Sequence, residues 1–278
     1  MRAPQLTSTR PVRMLARRNV LDEAMCLIAF ASQPDQACPL VVAANRDEFH
    51  DRPAAGMAWW DDAPDILGGR DLRAGGTWLG ASRRGRFAAL TNYREMQQTP
   101  DGAPSRGDLV AGFLRSDQSP ELYAEQVDLD RYAGFSLLMF DGQNFCFLAN
   151  REAAGLHQIE PGAHALSNGA LDSPWPKVQR ARDALDQLVQ SNEGATALLD
   201  MMGQTAPAAD AALPDTGVGI ELERFLSPMF IQGDQYGTRA STALRWFADG
   251  RVEMAERSFG SGGVTLGESL VEFTVSRP

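Results

Sequence analysis

A chain of 278 residues with 44% hydrophobic content can bury one large core, and a net charge of −10 argues against nucleic acid or an anionic membrane as the default partner. No run of about 18 apolar residues occurs, so no membrane span is expected. Three widely separated cysteines, Cys26, Cys38 and Cys146, suit neither a disulfide framework nor a metal cluster and point to reducing, cytoplasmic conditions.

The first 24 residues differ from the rest. Arg2, Arg10, Arg13, Arg17 and Arg18 outnumber Asp22 and Glu23, so the body of the chain is more acidic than the whole. Without an apolar h-region this leader is not a secretory signal. A transit peptide, a disordered tail and a cleaved propeptide compete with upstream sequence attached through a misplaced start, and only the last frees the next segment without a dedicated protease. The expected organisation is a leader over 1–24 and a single domain over 25–278.

Met25-Cys26-Leu27-Ile28-Ala29-Phe30 comes next. With Met25 as initiator and removed by aminopeptidase, Cys26 carries both a thiol and a free α-amine, a nucleophile and a base on one residue. The competing reading is a small hydrophobe in a buried strand. Cys26 to Ser32 and Pro39 to Ala44 form a hairpin of strands covered on both faces. The second run ends in Asn45-Arg46-Asp47-Glu48-Phe49, four polar groups that are costly to bury unless they bond to one another or to a ligand. As adjacent strand residues, Asp47 and Glu48 face opposite sides and cannot flank one bond as a glycosidase pair.

Short strands and glycine turns continue through Trp59-Trp60, Gly68-Gly69-Arg70-Asp71 and Gly75-Gly76-Thr77-Trp78, and no helix signal makes Gly75-Gly76 a phosphate cradle. The strand Arg86 to Asn92 ends in an amide that either stabilises an oxyanion or caps a turn. Ser105 is expected to cap a helix carrying Leu109, Val110, Phe113 and Leu114, with a second short helix from Pro120 to Val127. Asp141-Gly142 joins the strands Phe135 to Phe140 and Asn144 to Ala149. Strands over 156–160 and 163–168 precede an amphipathic helix from Lys177 and another over 195–202. After the loop 204–219, strands are expected over 237–247, 252–259 and 269–275. Strands at both ends with helices between them indicate helices packed on two stacked antiparallel sheets.

His50, His157 and His164 lack metal-ligand spacing, and no Gly-x-Ser-x-Gly elbow is present, so neither a metal nor a cofactor is expected. Lys177, the only lysine, offers almost nothing for Schiff-base or phosphate-loop chemistry. What remains is Cys26 with Arg, Asp and Asn at strand ends, a pattern that suits acyl transfer without histidine.

Met25-Cys26-Leu27-Ile28, Asn45 to Phe49, Gly76 to Gly80, Thr91 to Arg94, Ser167-Asn168, Asp172 to Val178 and Tyr236 to Arg239 together resemble the NRDE family, the transport and Golgi organisation protein 2-like proteins. That family in turn looks like the N-terminal nucleophile hydrolases, in particular the penicillin V acylase and bile-salt hydrolase branch. The resemblance implies an α+β fold, a four-layer αββα sandwich of two mainly antiparallel sheets. It implies Cys26 as nucleophile, Asp47 as the carboxylate that orients the α-amine, Asn92 and Asn168 as active-site amides, and Arg239 as a late-strand arginine. Asn45, Arg46, Glu48, Arg70, Trp78 and Arg94 are the candidate ligand contacts. The expected partner is a small acyl or amphipathic molecule. Hydrolysis of an amide or related acyl bond leads, and a non-catalytic carrier of acyl-CoA, haem or a related metabolite is the alternative, because the family's eukaryotic members are associated with lipid and haem handling.

Overall fold

The computed structural model describes residues 25–33, 35–95 and 102–276. The expected leader over 1–24 lies outside them.

Apolar runs with both faces covered form the centre. β1 (Met25–Ser32) and β2 (Leu40–Phe49) pair antiparallel, joined by β10 (Gly162–Leu166), β11 (Tyr236–Trp246), β12 (Arg251–Phe259) and β13 (Thr265–Thr274) in the order β10-β1-β2-β11-β12-β13. The second sheet is a seven-stranded meander of β3 (Ala54–Trp60), β4 (Ala63–Asp71), β5 (Leu79–Ser82), β6 (Arg86–Asn92), β7 (Phe135–Phe140), β8 (Phe145–Ala149) and β9 (Gly155–Gln158).

Alternate residues of each strand enter different cores. Ile28, Phe30, Val42 and Ala44 meet Leu67, Phe87 and Leu138 between the sheets. Leu27, Ala29, Val41 and Ala43 instead meet Val178, Ala181, Leu185 and Leu198 of α3 (Pro176–Gln190) and α4 (Ala195–Met201). On the far side, α1 (Gly107–Arg115) and α2 (Pro120–Ala124) cover Ala88, Leu90, Leu137 and Met139. The result is the expected αββα sandwich. Each side chain fully withdrawn from water contributes about 1.5–3 kcal/mol before conformational entropy is counted.

Three local expectations change, and one element is new. Ser105 does not cap α1: Arg106 occupies the cap position in helical conformation with no side-chain bond, and the Asp108 N–H is held by the Ser105 carbonyl at 3.0 Å. The second helix stops at Ala124, with Ser119 capping its start through a 3.4 Å bond from the Leu122 N–H. A short helix, α5 (Ile220–Leu226), follows the loop in a stretch for which no element was expected, and its Leu222 and Leu226 pack on Ile231 and Tyr236. The polar quartet Asn45 to Glu48 lies within β2 rather than beyond it, and all four residues are buried.

No helix among the described residues is long and apolar enough to cross a membrane.

Candidate active site

Strand alternation splits the polar end of β2. Arg46 and Glu48 point between the sheets with Val42 and Ala44, whereas Asn45 and Asp47 point toward the helices with Val41 and Ala43. Cys26 lies directly across from Arg46 in the β1–β2 ladder, and Met25 lies across from Asp47. Cys26 is 2% exposed. Burial pushes its thiol up to about 12, the Asp47 carboxylate adds to the rise, and the Arg46 guanidinium offsets part of it. Such a thiol does not ionise unaided near neutrality; its reactivity requires an adjacent base.

On the cavity side, a space of about 550 Å³ opens at this end of the sandwich, lined by Arg46, Glu48, Arg70, Trp78, Asn92 and Arg239 among others. The Arg46 side chain is 10% exposed, and its ion pairs to Glu48 (3.6 Å) and Asp71 (4.0 Å) are longer than hydrogen bonds. Its donors therefore remain available to a ligand. Burial raises the Glu48 carboxyl, and Arg46 works against that rise. Arg239 donates to the carbonyls of Phe49 (2.7 Å) and Arg52 (3.1 Å) and occupies a β-bulge, because Thr238 pairs with Asp47 and Ala240 already pairs with Arg46. Arg70 lines the rim, but it is held by Asp62, by the Gly75 carbonyl at 2.9 Å and by the face of Trp60 at 4.2 Å.

The Asn168 amide and two hydroxyls tie these strands together. Asn168 donates to the Asn92 carbonyl at 2.9 Å, Ser167 donates to the Cys26 carbonyl at 2.9 Å, and Thr91 donates to the Ser167 carbonyl at 2.7 Å. These bonds carry β1, β6 and the segment after β10 to a common point.

Two candidate ligand contacts are committed to the protein interior instead. Asn45 donates to the carbonyls of Met202 (2.9 Å) and Met229 (2.8 Å) and accepts from Ser241 at 2.6 Å. Arg94 bonds Glu223 at 2.7 Å and stacks over Trp175 at 4.9 Å, with both partners of the ion pair almost wholly buried. Neither lines the cavity.

The model of the family described as Transport and Golgi organisation 2 matches residues 25–261. The mouse Transport and Golgi organization 2 homolog is 34% identical over 84% of this chain and 93% of its own length. The chain belongs to the Transport and Golgi organisation 2 family. The human homolog is 33% identical over the same shares, and the Drosophila melanogaster protein 27% identical over 60% of this chain and 66% of its own. Among solved structures, a Caenorhabditis elegans N-acylethanolamine-hydrolyzing acid amidase ortholog superposes with a TM-score of 0.50 at 10% identity, covering 79% of this chain and 92% of that one. That likeness is one of fold, the sandwich of two mainly antiparallel sheets with helices outside.

In this member of the Transport and Golgi organisation 2 family, the single lysine, expected to offer almost nothing chemically, is buried. Lys177, chemically isolated in the chain, is 3% exposed at the first turn of α3, and its Nζ has no hydrogen-bond partner. Asp47 has the opposite deficit: Oδ1 accepts from Thr238 at 2.6 Å, while Oδ2 is buried without a partner. The clue in the sequence is Trp-Pro-Lys, since a proline opening a helix fixes where the next side chain enters the core.

Proposed function

We propose that this protein is an N-terminal cysteine hydrolase acting on an amide or related acyl bond of a small molecule. What supports the proposal is that Cys26 lies across from Arg46, that Ser167 and Asn168 tie the Cys26 carbonyl and Asn92 together, and that Arg46, Asn92 and Arg239 line a cavity large enough for a metabolite at this end of the sheets. The fold neighbour's title names an amidase, which agrees with this class of reaction.

Once Met25 is removed, the Cys26 α-amine takes the thiol proton as Sγ attacks the carbonyl carbon. Asn92 and a backbone N–H hold the oxyanion; each such donor is worth about 10²- to 10³-fold in rate. The C–N bond breaks as the amine returns its proton to the leaving nitrogen, giving a thioester. Water then adds to the thioester carbonyl, the C–S bond breaks, and the acid and the thiol are released. Arg46 and Arg239 face the carboxylate or phosphate of an anionic substrate.

Turnover of a panel of acyl amides and thioesters by wild type, with a loss of roughly 10³-fold or more in Cys26→Ala, is the expected result. Equal turnover by both proteins overturns the proposal. A second reading, a carrier of acyl-CoA, haem or a related amphipathic metabolite, draws on the contrast between cavity-facing Arg46 donors and a thiol kept from the solvent. Native mass spectrometry separates the two, since a carrier retains its ligand unchanged and a hydrolase yields cleaved product.

A further inference from the structure

We infer that Lys177 is a positioning residue of the Cys26 site, whose buried, unbonded ammonium offsets the Asp47 carboxylate and keeps the Cys26 α-amine in the uncharged form that accepts the thiol proton. The inference rests on the N-terminal nucleophile reading above.

Buried lysines are rare, and an ammonium without a hydrogen bond costs several kcal/mol unless something nearby compensates. Here α3 packs on β1 and β10, with Lys177 at its N-terminal end. The charged or titratable groups that act on Lys177 are Cys26 of β1, Asp47 of β2, Arg94 just after β6 and Glu223 of α5. Arg94 and Glu223 pair with each other at 2.7 Å, and Glu223 also accepts from the Thr216 N–H at 2.9 Å. What is left is one ammonium and one carboxylate oxygen, each buried and each without a hydrogen-bond partner. Burial and Arg94 lower Lys177 from the ordinary lysine range, with Asp47 opposing them, while burial raises Asp47 and Lys177 acts in the opposite sense.

The β1–β2 register gives this pair a task. Met25 is the residue across from Asp47, so its removal leaves the new α-amine next to the carboxylate whose Oδ2 has no donor. An amine beside a lone carboxylate in a dry site retains its proton and is useless as a base. A second cation in the same enclosure cancels that hold, leaving Asp47 to orient the amine without keeping it charged.

The test titrates the α-amine directly. A Cys26→Ser background keeps the amine and removes the competing thiol, and the full chain is compared with and without Lys177→Met or Lys177→Arg. Trace labelling with acetic anhydride across a pH series, read on the N-terminal peptide by mass spectrometry, gives the midpoint for each protein. The methionine variant is expected to move the midpoint up by about one pH unit, lowering labelling near neutrality roughly tenfold, while the arginine variant keeps the wild-type midpoint. Circular dichroism checks the fold, and Lys177→Gln replaces the methionine variant if that fails to fold. Coincident midpoints in folded neutral variants overturn the role of Lys177. A peptide beginning upstream of residue 26 overturns both this inference and the hydrolase reading. A shifted midpoint in a protein that turns over no acyl substrate leaves Lys177 in its role and rejects hydrolysis.

Discussion

The two faces of the first sheet treat charge differently at the same end of the molecule. Toward the helices, Asn45, Arg94 and Glu223 are closed off by bonds of 2.7–2.9 Å to protein partners. Toward the cavity, Arg46 and Glu48 stand 3.6 Å apart, and Arg52 approaches the same Glu48 at 3.6 Å. Short dry pairs hold architecture, and long pairs beside an open volume are the ones a ligand can replace. Asp47 and Lys177 belong to neither group, since both lie on the dry side with bonding capacity left over.

The sharpest way to break the comparison is on the dry side. Arg94→Met leaves the Glu223 carboxylate buried without its cation, with an expected loss of about 3–5 kcal/mol in urea denaturation. The double variant Arg94→Met/Glu223→Leu should recover much of it, and a single-variant loss under about 1 kcal/mol would mean that water reaches the pair.

Exchanging neighbours on β2 comes next. Asn45→Ala strands the Met202 and Met229 carbonyls and is expected to cost about 2–4 kcal/mol in stability. Arg46→Ala, one residue on, should cost about 1 kcal/mol, because Glu48 keeps Arg52, while ligand retention in native mass spectrometry falls. Similar stability losses for the two would erase the distinction between the faces.

The smallest effect serves as a control at the sheet edge. His164 bonds Asp172 at 2.7 Å, which raises the imidazole, and burial works against that bond. For Asp172, burial is outweighed by the bonds from His164 and the Ala165 N–H, so its carboxyl lies below the usual range. A raised histidine contributes stability fully below its unfolded value of about 6.5 and loses it as pH rises through the folded value; the lowered aspartate contributes above its unfolded value and loses it as pH falls through the folded one. His164→Gln should therefore lower the unfolding free energy most at mildly acidic pH, by about 1 kcal/mol or less, with the gap closing above neutrality. A gap that widens with pH would refute this assignment.

Much of the sandwich was legible because its strands are unusually uniform. Runs such as Leu40 to Ala44 and Phe135 to Phe140 are apolar at almost every position, a pattern that only strands covered on both faces sustain. Facing was harder to read. Asn45 and Arg46 look equally available in the chain, and only the parity set by Val41 and Val42 assigns one to the helices and the other to the cavity. Arg94 and Lys177 were misjudged for one reason: the groups that surround them, Trp175 and Glu223 for one and Asp47 for the other, are brought in from distant segments. The short helix α5 carries no strong periodic signal because its seven residues make barely two turns.

The bulge at Arg239 works as a change of phase. Thr238 and Ala240 are two positions apart and in a regular strand would face the same side, yet one pairs with Asp47 and the other with Arg46, on opposite sides of the sheet. The extra residue shifts the alternation by one step, so the polar tip of β11 and its apolar body, Ala243 and Leu244, each meet the correct layer. Residue 239 is thus the spare count in the strand. Removing any other residue between 241 and 246 would turn the rest of the strand inside out, whereas removing this one restores plain pairing on both sides and takes away only the guanidinium.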